Sequence, residues 1–156
     1  MAQERQSLKY LEDFTKGQQH FLGTFTLSGP EIIRFAEEFD QQPFHLSERE
    51  GHASLFGGLV ASGWHTAAAF MRLYVDTVLK DSAAQGSPGV DQLRWLYPVR
   101  PGEPLSATLT VTGRAGVLTR PDCGTVRNHC ELARSDGELV MTMTLYNMFL
   151  KRPARS

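Results

Sequence analysis

The feature that most constrains this chain is a stretch of 19 residues, 53–71, that carries no formal charge. A run of that length enters either a membrane or a protein core. Gly57, Gly58, Gly63, Ser54, Ser62, Thr66 and His65 lie within it, poor company for hydrocarbon, so a buried core helix is the better account. Ser62 is placed to cap that helix, which is expected to run from residue 63 to about residue 80. Trp64, Ala67, Ala68, Met71, Val75 and Val78 form one apolar stripe, and Phe70, Leu73 and Tyr74 make much of the remaining surface apolar. Arg72, Asp76 and Lys80 sit four apart on one narrow ridge, which His65 shares in an exposed or subunit-contact position. A helix apolar nearly all round is buried on most sides, and a sheet is the element that can wrap it.

The rest of the chain supplies the sheet. Residues 19–28 alternate well enough for an opening strand. Ser28 and Glu31 then have capping-box spacing, with Pro30 suited to a first turn. Ile32, Phe35, Ala36 and Phe39 define the apolar face of a short helix, which must stop before Gln42 because Pro43 disfavours helical geometry ahead of it. Ser47 and Glu50 repeat the capping spacing and predict a second short helix, ended by Gly51. Residues 83–89 read as a small, flexible loop. Four strand-like runs follow at 90–99, 105–112, 125–134 and 139–150, separated by turns at Pro101-Gly102, Gly113-Arg114-Ala115-Gly116 and Ser135-Asp136-Gly137. The fold class is α+β, a curved antiparallel sheet wrapped around a long central helix.

At 156 residues the chain suits one domain, expected at 15–150 between an N-terminal arm (1–14) and a frayed, solvated tail (151–156). With 41% apolar and 21% charged residues it is an ordinary globular composition. A net charge of −1 lacks the electrostatic footprint of a general nucleic-acid binder. Cys123 and Cys130 are too few for a disulfide framework and, seven apart in one strand, point to opposite faces. They suit a reducing compartment, and the opening residues contain no apolar run, so a cytoplasmic location is expected.

The densest group of chemically active residues is Asp40-Gln41-Gln42-Pro43-Phe44-His45. A carboxylate at Asp40 faces the negative end of a helix dipole directly after Glu37 and Glu38, a locally unfavourable position of the kind that marks functional sites. Asp40 and His45, brought together at a rigid bend, can hold one water and share its proton, as hydration of a double bond requires. The same residues also fit a plain structural role, an Asp capping the next turn and a His packing in a loop. Ser62-Gly63 opens the long helix, where unpaired N–H groups and a missing side chain make a ready oxyanion site, or simply an ordinary capped helix start. No histidine or cysteine pair has metal-ligand spacing, so no metal is expected. Phosphate-binding loops, dinucleotide fingerprints and nucleophile elbows are absent from the sequence.

Together the strings FAEEFDQQPFH, SLFGGLVASGWHTAA and RWLYPVRPGEPLSATLTV resemble the MaoC-like dehydratase family, the (R)-specific enoyl-CoA hydratases with a hotdog fold, over roughly residues 13–150. The family motif, Asp followed by x-Asn-Pro-x-His, corresponds to Asp40 through His45, and its His-Gly at the head of the central helix corresponds to Ser62-Gly63. The resemblance implies that Asp40 and His45 orient a water and move its protons while the Gly63 N–H takes the carbonyl oxygen of a trans-2-enoyl thioester. Gln42, Ser62 and Gly63 become the expected substrate-binding positions. Two of them depart from the family: Gln42 stands for its Asn and can still support the loop, and Ser62 stands for its His and removes a polar contact to substrate. Coenzyme A is then part of the substrate and no cofactor is implied; the family also implies a homodimer or a dimer-based assembly. The fold leaves room for an acyl-CoA thioesterase or a non-catalytic acyl-thioester-binding subunit, although the His45 pairing favours the hydratase. Phe44, Phe56, Trp64 and Met71 either narrow an acyl tunnel or fill the core, and the core is the better account.

Overall fold

Main-chain hydrogen bonding organises one sheet whose two edge strands lie far apart in sequence. The computed structural model describes residues 7–155; residues 1–6 of the expected arm and residue 156 of the tail lie outside the described residues. In chain order the elements are β1 (Gln19–Phe25), α1 (Gly29–Phe39), α2 (Pro43–Leu46), α3 (Glu48–His52), α4 (Gly63–Thr77), β2 (Gly89–Trp95), β3 (Leu105–Val117), β4 (Arg120–Arg134) and β5 (Leu139–Leu150). The sheet order is β1-β3-β4-β5-β2, with every pair antiparallel. One face of it carries Leu105, Ala107, Leu109 and Val111 from β3, Val126, Cys130 and Leu132 from β4, and Met141, Met143, Leu145 and Phe149 from β5, all buried. Phe70, Tyr74 and Val78 of the long helix and its end pack into the same core. Full burial of a side chain such as Phe70 is worth about 1.5–3 kcal/mol. This is the expected hotdog arrangement of a curved sheet around a central helix.

The helix does not bury the stripe expected of it. Thr66, Phe70 and Tyr74 face the sheet, whereas Trp64, Ala68, Met71 and Val75 are exposed. An all-round apolar helix offers no contrast between faces, so tertiary packing chooses. The helix also ends earlier than expected, at Thr77, and continues as a 3-10 turn, Leu79–Asp81. The uncharged run 53–71 is mostly not helical, and among the described residues no helix is long and apolar enough to cross a membrane.

Other expectations need correction. Gly113–Gly116 is not a turn but part of β3, which runs on with a bulge and turns at Leu118-Thr119. Gly51 does not end α3. It lies within that helix, at a place where the backbone of Gly58 passes so close that a Cβ could not fit. Phe39 is exposed rather than on the buried face of α1. Residues 83–86 are tied to β5, with Gln85 N–H donating to the Met148 carbonyl at 2.7 Å and Met148 N–H donating to that of Gly86 at 2.8 Å. The tail is clasped at its base: Arg152 donates to Asp13 at 2.6 Å and lies over the Tyr10 ring. Capping at Ser28, by contrast, has the expected form, with the Ser28 hydroxyl and the Glu31 carboxylate each accepting the other residue's backbone N–H.

Candidate active site

The site begins where α1 stops. Asp40 is its C-cap, and the Asp40 N–H donates to the Ala36 carbonyl at 2.9 Å. The chain reverses there, with Gln42 N–H donating to the Asp40 carbonyl at 2.7 Å, and Pro43 starts the single turn of α2. The sequence predicts a bend at Pro43 but not that it is a helical turn, and that turn swings His45 back towards Asp40. The extended segment after Gly58 then docks on α2: Val60 N–H donates to the Phe44 carbonyl at 3.1 Å, and the Val60 carbonyl faces His45 Nδ1 at 2.6 Å.

The last contact decides the tautomer of the imidazole. A carbonyl oxygen only accepts, so Nδ1 carries a proton, and in the neutral form of the ring Nε2 is left as an acceptor. His45 Nε2 lies 3.4 Å from Asp40 Oδ2, with His45 buried and the Asp40 side chain 18% exposed. Two lone pairs facing each other at that distance need a proton between them. It comes either from an imidazolium or from a water donating one hydrogen to each. The other carboxylate oxygen, Oδ1, accepts the Gln42 side-chain amide at 2.7 Å. Burial alone would raise the Asp40 pKa, but the nearby Ser62 hydroxyl, the Gln42 amide and His45 outweigh it, and the net shift is below the ordinary carboxylate value. The carboxylate is therefore held ionised.

His45 opens onto a cavity of about 340 Å³. Gly63, Thr66, Phe44, Phe56, Trp95 and Val140 are among its walls, and no formally charged residue lines it. Phe44 and Phe56, expected in the core, are cavity walls with ring centroids 5.1 Å apart. Trp64 and Met71 are neither core nor wall but exposed. Trp95 lies over the start of α4, where a Cβ on residue 63 would collide with its indole. Gly63 is thus required for close packing, and the first N–H groups of the helix that it opens have no partner inside it. Asp40, Gln42 and Ser62 are not part of the wall. The structure gathers Gln42, Ser62 and His45 around Asp40, and of the four only His45 lines the cavity. Sequence reasoning misses Trp95 and Thr66, because nothing there separates them from ordinary strand and helix residues. His65 is not on an exposed ridge: it is half-buried, stacked parallel on Phe35 with centroids 4.6 Å apart.

A family model described as MaoC like domain matches residues 15–132. The chain belongs to the MaoC-like family. That match takes in α1 to α4 and β2, and so contains every site and cavity residue named in this subsection except Val140. A similar protein, the (R)-specific enoyl-CoA hydratase of Rhodospirillum rubrum, is 34% identical over 108 residues, covering 68% of this chain and 72% of its own. The uncharacterized protein YdeM of Bacillus subtilis is 29% identical over 115 residues, 70% of this chain and 82% of that one. Among solved structures, a MaoC-like dehydratase from Rhodospirillum rubrum superposes with a TM-score of 0.84 at 38% identity, covering 94% of this chain and 99% of that one. R-hydratase PhaJ1 of Pseudomonas aeruginosa, at 18% identity, shares the fold with a TM-score of 0.74 over 94% of this chain and 95% of its own.

Proposed function

We propose that this MaoC-like protein adds water across the double bond of a trans-2-enoyl-CoA to give the (R)-3-hydroxyacyl-CoA, or removes it in the reverse direction. One observation carries the reading. His45 Nε2 and Asp40 Oδ2 face each other at 3.4 Å, and His45 lines an uncharged cavity. A water bound there donates to both groups and turns a lone pair outward. Its oxygen forms the bond to the β-carbon, the π electrons move towards the α-carbon, and the α-carbon takes up a proton returned through the same pair. The thioester oxygen, which gains negative charge in that step, sits against the N–H of Gly63 at the positive end of α4. Gln42 keeps Oδ1 occupied, so Oδ2 is left for the water. Membership of a family with a named (R)-specific enoyl-CoA hydratase supports the same reaction.

The test is loss of enoyl-thioester absorbance when crotonyl-CoA or a longer trans-2-enoyl-CoA is mixed with pure protein, run beside a thiol-release assay. Hydration without thiol release is the expected result. Thiol release without hydration would overturn it in favour of a thioesterase, and neither change across short and medium acyl chains would point to a binding subunit.

The same reading includes a homodimer. In the single chain Trp64 is 60% exposed and Met71 and Val75 more than a third exposed on one side of α4, while edge strand β2 and the residues after it expose Val90, Trp95, Leu96 and Tyr97. An open edge beside an open apolar helix face invites a second copy. Sedimentation at micromolar concentration is expected to show a dimer or a multiple of it, and a monomer alone would contradict this. Cys123 and Cys130 are both buried and free, which suits a protein working in the reducing cytoplasm.

A further inference from the structure

Ser62 stands at the N-cap of α4 and does not cap it. Its carbonyl accepts the Thr66 N–H at 3.1 Å, so the helix starts normally, but its hydroxyl accepts from none of the first N–H groups. Ser62 is fully buried, and its Oγ has no hydrogen-bond partner of ordinary geometry. Nor does Ser62 line the cavity, so an acyl group there does not supply the missing partner. A buried hydroxyl without a partner calls for an explanation. The neighbour that can use it is Asp40. One Asp40 oxygen already accepts the Gln42 amide at 2.7 Å and the other faces His45 at 3.4 Å. An ionised carboxylate has about four lone-pair sites, so a third donor is readily taken.

We infer that Ser62 is a positioning residue for Asp40 and not a substrate contact: its hydroxyl donates to the carboxylate and, with the Gln42 amide, fixes its charge state and the angle at which Oδ2 meets His45. Among the groups favouring the ionised form of Asp40, Ser62 has the largest effect, against burial, which opposes it. The kinetic consequence rests on the hydratase reading; the effect on Asp40 itself does not.

Two measurements on Ser62→Ala test this. In the first, the Asp40 carboxyl carbon is titrated by NMR in the wild-type protein and the variant. Loss of a donor that favours the charged form moves the Asp40 pKa upward, and an unchanged titration would overturn the inference. The second is the pH profile of enoyl-CoA hydration. The expected result is a kcat about tenfold lower, the usual scale for one hydrogen bond to a charged group, with KM steady and the acid limb moved to higher pH. Ser62→Thr, which keeps the hydroxyl, restores both. A raised KM with kcat and the acid limb unmoved would show a substrate contact and overturn the inference. Since the NMR titration needs no substrate, a protein that hydrates nothing yet shows the shift would remove the hydratase reading and leave this one standing.

Discussion

Asp40→Asn is expected to lower the hydration rate of a trans-2-enoyl-CoA by about 10³-fold, within the roughly 10²–10⁴ span of a general acid–base group, and to leave the fold intact. The substitution is nearly isosteric, and its surroundings dictate how the new amide sits. The Gln42 amide donates to Oδ1 at 2.7 Å, so the oxygen of the substituted side chain stays on that side. Its NH2 then points at the unprotonated Nε2 of His45, 3.4 Å away in the wild type, and donates to it. Two acceptors that need a water become a donor and an acceptor that need none. The variant is satisfied, folded and without a water site. Steady-state kinetics beside a thermal melt checks this, and a wild-type rate in a folded Asp40→Asn protein would contradict the site assignment. His45→Ala is the poorer probe, because it strands the buried Val60 carbonyl that now accepts from Nδ1, at about 1–3 kcal/mol.

Gly63→Ala is expected to cost both stability and turnover. The added Cβ falls into the Trp95 indole, a flat ring with no flexible end to give way. Either the ring leaves the cavity wall or the first turn of α4 shifts, and each moves the N–H away from the thioester oxygen. Overpacking of this kind costs roughly 1–3 kcal/mol, and loss of one oxyanion donor costs about 10²–10³-fold in kcat. Gly113→Ala is the control, since a Cβ there meets nothing within 4 Å, and it should behave nearly as wild type. Gly63→Ala with wild-type melting temperature and kcat would show that neither the Trp95 packing nor the N–H position matters.

The parts of this molecule that the sequence discloses are those decided within a few residues. Ser28 and Glu31 cap α1 because both partners lie in one turn, and Ser135-Asp136-Gly137 closes the β4–β5 hairpin with Gly137 at φ 87°. Asp40 and His45 are legible for a related reason: five residues and a proline restrict their separation so strongly that meeting is the natural outcome. What stays hidden depends on elements distant in the chain. The buried face of α4 is set by the sheet, and Thr66, Phe70 and Tyr74 carry no mark that Ala67, Met71 and Val75 lack. Trp95 reaches Gly63 across the fold, and Ser62 turns from a cap into a neighbour of Asp40 only because α1 ends beside it. Gly113–Gly116 reads as a turn by composition, yet pairing with β4 through residue 127 and beyond keeps it extended.

The most direct test of the central claim is the product formed from crotonyl-CoA and water, resolved into its two enantiomers. A water held by Asp40 and His45 on one side of the bound acyl group reaches only one face of the double bond. The expected product is (R)-3-hydroxybutyryl-CoA with no free thiol. The (S) product, a racemic mixture, or crotonate with released coenzyme A would contradict it.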